Sequence, residues 1–133
     1  MALQYITKDI LSRNGSGEAL LDLPYDIGFN AGYDKDMLPD DFENAAYGHM
    51  IMVRSGTFIG AVGKVDSGTA TCEIEIEKEG VNIFSTNPSF SGTDTMTSGT
   101  LSTTEFVSGD RITFRVVNYS SGQGLRVTLK CRV

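Results

Sequence analysis

Apolar and polar side chains alternate one for one through most of the last quarter of the chain. From Asp110 to Asn118, Ile112, Phe114 and Val116 fall on one side, while Arg111, Thr113 and Arg115 fall on the other. From Leu125 to Val133, Leu125, Val127, Leu129, Cys131 and Val133 alternate with Arg126, Thr128, Lys130 and Arg132. A two-residue period puts successive side chains on opposite faces of a pleated strand, so each run can bury one face and wet the other. The segment between them, Tyr119-Ser-Ser-Gly-Gln-Gly124, is rich in turn formers, and together the two runs predict a closing β-hairpin.

The same period recurs upstream. Tyr25, Ile27 and Phe29 alternate with Asp26, Gly28 and Asn30, behind a Pro24 that suits a strand entrance or edge. Runs from His49 to Arg54 and from Thr57 to Val62 are separated by Ser55-Gly56. From Thr69 to Glu77, Ala70, Cys72, Ile74 and Ile76 face inward and Thr71, Glu73, Glu75 and Glu77 outward. Lys78-Glu-Gly80 turns the chain into Val81, Ile83 and Phe84, and a further strand covers Thr100 to Phe106. Between these strands, 85 to 99 is a polar loop anchored by Phe90 and Met96. Seven or eight short strands with turn chemistry between them and almost no helix predict an all-β, antiparallel β-sandwich. The exception is the insertion from Gly32 to Gly48, where Pro39 followed by Asp40, Asp41 and Glu43 suggests a helical turn.

Residues 1 to 19 stand apart as an arm with a flexible link, ahead of a sandwich domain over 20–133. Apolar side chains at Leu3, Ile6, Ile10 and Leu11, with Tyr5 among them, precede Ser12-Arg-Asn-Gly-Ser-Gly17. Two uses fit such a segment: a first strand of its own domain, or a dock on a neighbouring subunit.

At 133 residues the chain has the length of one domain with its own core, and 40% apolar content is that of a folded soluble protein. Neither a signal-type apolar run nor a membrane-length helix is present, so synthesis in the cytoplasm without membrane insertion is expected. Cys72 and Cys131 both take inward positions, and read best as reduced, buried thiols that behave as small hydrophobes. The formal net charge of −6 argues against a nucleic-acid partner. Its distribution is more informative than its sum. Glu73, Glu75 and Glu77 form an acidic ladder, while Arg111, Arg115, Arg126, Lys130 and Arg132 cluster at the end. The two ladders would satisfy each other, across one sheet or across a subunit boundary.

No motif carries recognisable reaction chemistry. His49 is the lone histidine and opens an apolar run, a structural position more often than a catalytic one. Gly60, Gly63 and Lys64 fail as a phosphate loop, because Phe58 stands where its first glycine belongs and Val65 where its Ser/Thr belongs. Asp34, Asp36, Asp40, Asp41 and Glu43 lack the spacing of a calcium loop and read as a solvated acidic loop. No cofactor or metal is expected, and the chain reads as a non-enzyme. As candidate glycan contacts the sequence offers Tyr33, Tyr47 and Tyr119 with Asn87 and Asp94, residue types that sandwich lectins place at shallow sites.

Three stretches in order resemble a module of bacteriophage virion proteins. They are Leu23-Pro-Tyr-Asp-Ile-Gly-Phe29, then Thr57-Phe-Ile-Gly-Ala-Val62 running into 67–80, and finally Phe106-Val-Ser-Gly-Asp-Arg-Ile-Thr-Phe114 running into the last strand. That module looks like a small jelly-roll-type β-sandwich of tail-fibre tips and short virion-surface proteins. The likeness covers residues 20–133, and departs at the insertion 32–48 and in the charged last strand. The resemblance implies a homotrimeric structural subunit on the virion surface, partnered by itself and by a major capsid or tail protein. The short chain, without a fibre shaft, favours a capsid-decorating (cement) protein or a small virion-surface subunit. The alternative is a tail-fibre tip or receptor-binding module that takes a host-surface glycan. In the first case the arm residues Leu3, Tyr5, Ile6, Ile10 and Leu11 would dock on the neighbour or capsid.

Overall fold

Long alternating runs give long strands, and two of them organise the molecule. The computed structural model describes residues 23–133, together with the backbone of two short strands in the arm. In chain order the strands are β1 (Leu11–Arg13), β2 (Ala19–Leu21), β3 (Ile27–Ala31), β4 (Ala45–Ile51), β5 (Gly56–Lys78) and β6 (Val81–Asn82). There follow β7 (Phe84–Thr86), β8 (Ser89–Thr93), β9 (Thr100–Leu101), β10 (Glu105–Phe106) and β11 (Arg111–Arg132). All pair antiparallel, and no helix occurs among the described residues. The fold is the antiparallel β-sandwich that the alternation implies.

β5 and β11 run 23 and 22 residues and pair along nearly their whole length, from Ile112 opposite Lys78 to Arg132 opposite Thr57. A ribbon that long cannot stay flat around one core. It bends where the register slips, between Val117 and Ser121 and again between Ser121 and Gln123. Bulges of this kind add twist and redirect a strand. The bend falls on residues whose backbone permits it: Asn118, Gly122 and Gly124 on β11, and Gly68 on β5, all have positive φ.

The bend divides the ribbon into two layers. In the first, β4 lies beside the early half of β11, which pairs with the late half of β5 and then β6, while β8 flanks β5 near the bend. In the second, β3 lies beside the late half of β11, which pairs with the early half of β5 and then β10. Inner faces meet in a single apolar cluster. Ile74, Ile76, Ile112, Phe114 and Val116 come from the first layer, and Phe58, Leu125, Val127 and Leu129 from the second. Phe29 of β3 stacks flat on Phe114 of β11 across the layers, centroids 5.0 Å apart. No charged or polar residue is buried among the described residues.

Two expectations need correction. The closing runs do not form a hairpin with each other: Tyr119 to Gly124 continues one strand through its bulges, and both runs pair with β5 instead. The residues that could close a turn are here used to bend a ribbon. Nor does Pro39 start a helical turn. Pro39 bridges Tyr33, Asp41 bridges Gln123, and Phe42 is buried against Tyr119 at 4.7 Å, so docking onto the bend fixes this loop extended. The acids there serve the loop itself. Asp34 Oδ1 accepts from the amides of Asp36 (2.8 Å) and Leu38 (3.0 Å), and Asp41 accepts from Gln123 at 2.9 Å.

The predicted strands 57–62 and 69–77 are one strand, β5, and the predicted 49–54 strand begins earlier, at Ala45. The arm contacts Leu3, Tyr5, Ile6 and Ile10 lie outside the described residues, and of Leu11 only its backbone pairing with Leu21 is described.

Candidate functional site

On the outer face of the first layer, beside the bend, the chain leaves a groove of about 440 Å³ with a mixed polar and apolar lining. Glu73 lines it, an outward residue of β5 flanked in register by Ser89 of β8 on one side and Val117 of β11 on the other. Just past Val117, the left-handed backbone of Asn118 swings its amide back over the carboxylate, and Nδ2 donates to Glu73 Oε2 at 2.6 Å. From the opposite wall Asn87 Nδ2 donates to Oε1 at 3.3 Å, while Asn87 Oδ1 accepts from Asn82 Nδ2 at 2.7 Å. Glu73 is therefore oriented by two neutral amides and forms no ion pair among the described residues. Hydroxyls of Thr86 and Ser91 also line the groove, and neither has a hydrogen-bond partner within the described chain.

Of the five glycan contacts expected from sequence, only Asn87 lines this groove. Tyr33 belongs to a separate cluster, where its hydroxyl donates to Asp66 Oδ2 at 2.6 Å and Arg126 Nε donates to both, at 3.0 and 2.9 Å. The Tyr33 hydroxyl and the Arg126 guanidinium hold the Asp66 carboxyl below its ordinary value of 3.8. Burial, then the bond to Asp66, pushes the Tyr33 hydroxyl up. A depressed carboxyl contributes stability that is fully present above its ordinary value and lost as pH falls through the lowered one. Asp66→Asn is accordingly expected to lower the urea midpoint at pH 7, and the difference from the parent should vanish towards pH 2. A gap as large in acid as at neutral pH would exclude this role.

Tyr47 and Tyr119 flank Phe42 near the bend and spend their hydroxyls within the chain, Tyr47 accepting from the Glu43 amide at 2.7 Å and Tyr119 donating to Gly122 O at 3.0 Å. Burial raises the Tyr119 hydroxyl. Asp94 is exposed, and its carboxylate accepts from Thr95 at 3.1 Å. The five candidates thus lie at several separate places.

The charge ladders separate too. Arg115 reaches Glu77 within the first layer, and Arg111 pairs with Glu79 at 3.3 Å. Arg126, Lys130 and Arg132 project from the second layer, on the opposite side of the core, so they cannot answer Glu73, Glu75 and Glu77 within one chain. His49 Nδ1 sits 3.3 Å from the Thr113 hydroxyl on an exposed face. Cys72 and Cys131 are free and buried, and burial pushes their thiols up to about 11 and about 12, which keeps both protonated at neutral pH. Among the described residues no group of three or more His, Cys, Asp or Glu converges as a metal site would require.

What the sequence missed is Glu73 as the centre of a site rather than a rung of a ladder. Asn118, at the end of an alternating run, was the available signal. Comparison with protein-family models, with curated proteins and with solved structures found no match.

Proposed function

We propose that this chain is a non-enzymatic structural subunit of a bacteriophage virion, carried on the particle surface as a capsid-decorating or small accessory subunit and assembled as a homotrimer. The observation that carries the reading is the fold of residues 23–133. It is an antiparallel sandwich, as the resemblance implies, built around one apolar core, with loops and outer faces, including exposed apolar side chains such as Ile51, Val53 and Val62, left for contacts. The division of charge between the two layers supports assembly. Glu75 of the first layer and Lys130 of the second form no ion pair among the described residues, and each is open to an opposite charge on a neighbouring subunit.

Mass spectrometry and electron microscopy of purified particles test the proposal. The chain is expected in the particle, in threefold clusters on its surface. Its absence from washed particles would refute the assignment. Deleting residues 2–14 is expected to abolish attachment while leaving the circular dichroism of the sandwich intact. Attachment that survives the deletion would show that the arm is not the anchor.

A further inference from the structure

We propose that the groove around Glu73 is a saccharide-binding site, in which the Glu73 carboxylate and the Asn118 amide take the hydroxyls of a glycan. Its donor set indicates the class of ligand. An ionised carboxylate offers about four acceptor directions, and the two amides occupy one on each oxygen. The remaining directions open into the groove. Beside them lie acceptor capacity on Asn118 Oδ1 and two hydroxyls, Thr86 and Ser91, that can donate or accept. A wall that both donates and accepts suits groups that do the same, which is the property of sugar hydroxyls.

Other ligand classes fit less well. Glu73 forms no ion pair among the described residues, and its negative charge disfavours phosphates and carboxylates. An apolar ligand would strand the carboxylate and amides without water. The volume of about 440 Å³ lies inside the range of roughly 300–1,000 Å³ usual for small-molecule sites. Glu73 is also held in place before any ligand arrives, since the chain Asn82–Asn87–Glu73 and the bond from Asn118 fix its rotamer. Pre-orientation of this kind reduces the ordering cost of binding. Phe90 lies beneath the groove and is only 2% exposed, so the sugar is held by hydrogen bonds and not by stacking on a ring.

The inference adds a receptor contact to the proposed virion subunit but stands on the groove alone. Particle content and sugar retention are read in separate experiments, so either idea can fail without the other. The test uses the purified full chain on an array of mono- and oligosaccharides that includes bacterial lipopolysaccharide core and O-antigen fragments. The unaltered chain is expected to retain at least one saccharide. Glu73→Gln, which keeps size and removes charge, and Asn118→Gly, which keeps the backbone geometry and removes the amide, should each weaken that binding about tenfold or more. Ser91→Ala leaves the Glu73 network intact and should weaken it less, while Tyr33→Phe, in the separate cluster, should leave it unchanged. In the unaltered protein the side-chain amide NMR signals of Asn87 and Asn118 should shift on titration with the retained saccharide, a readout that depends on no variant. Failure to retain any saccharide, or binding that ignores Glu73→Gln and leaves those two signals still, would overturn the assignment.

Discussion

Phe114→Ala is expected to remove about 3–5 kcal/mol of folding stability, the largest loss from any single truncation considered for this chain. Phe114 is fully buried, and its ring stacks on Phe29 of the opposite layer. Truncation therefore deletes apolar surface and also opens a cavity between two layers joined here by nearly parallel rings, 6° apart. The walls of that cavity are strands locked in register, which limits collapse into the space. Against a total of about 5–15 kcal/mol for a typical domain, the variant would sit near the edge of folding. Calorimetry should show the midpoint falling by about 10–20 °C. Phe114→Leu, which keeps most of the volume, should cost about 1.5 kcal/mol or less. Equal losses for the two would mean that the ring does not bridge the layers.

The second large effect is expected at the bend. Gly122 has φ of 142°, a conformation that side chains rarely adopt, and an added Cβ would stand 2.8 Å from Ala70 Cβ and 2.9 Å from the Phe42 ring. Backbone strain of about 1–3 kcal/mol and overpacking of about 1–3 kcal/mol act together in Gly122→Val, so a loss of about 2–6 kcal/mol is expected by urea denaturation. Gly28→Ala provides the contrast: nothing lies within 4 Å of its added Cβ, so stability should barely change. If Gly122→Val were as mild as Gly28→Ala, the bend would not depend on this residue.

How far the sequence reaches can be judged from the same residues. Alternation placed Ile112, Phe114, Val116, Leu125, Val127, Leu129 and Cys131 inward, and likewise Ala70, Cys72, Ile74 and Ile76, and all are buried, while Val133, placed with them, is half-buried. A face is a local property of the chain, so it is legible locally. Partnership is not. Tyr119 to Gly124 has the composition of a hairpin turn, because glycine and asparagine tolerate positive φ wherever it is needed, in turns and bulges alike. Only the distant strand β5, pairing with both runs, selects the bulge. The insertion 32–48 was misread for a related reason. Pro39 and the acids following it suit a helix start, but Phe42 gains more by burial at the bend.

The groove was less visible than the fold. Glu73 and Asn118 are 45 positions apart and meet because Val117 pairs with Glu73. Asn87 was identifiable as an amide in a polar loop. Its position over that carboxylate depends on β8 aligning Ser89 with Glu73, which composition does not encode.

The central place of β11 bears on how the protein comes into being. β3 and β4 have no partner other than β11 in the described sheet, and its pairing with β5 joins residues as far apart as Thr57 and Arg132. While the chain is being made, β3 and β4 leave the ribosome with both edges bare, and they remain so until β11 has followed. Acquisition of structure is then late and close to all-or-none, on the millisecond-to-second scale of folds dominated by distant pairings. The interval before β11 emerges is when stray association with other chains is most dangerous to the yield of native protein.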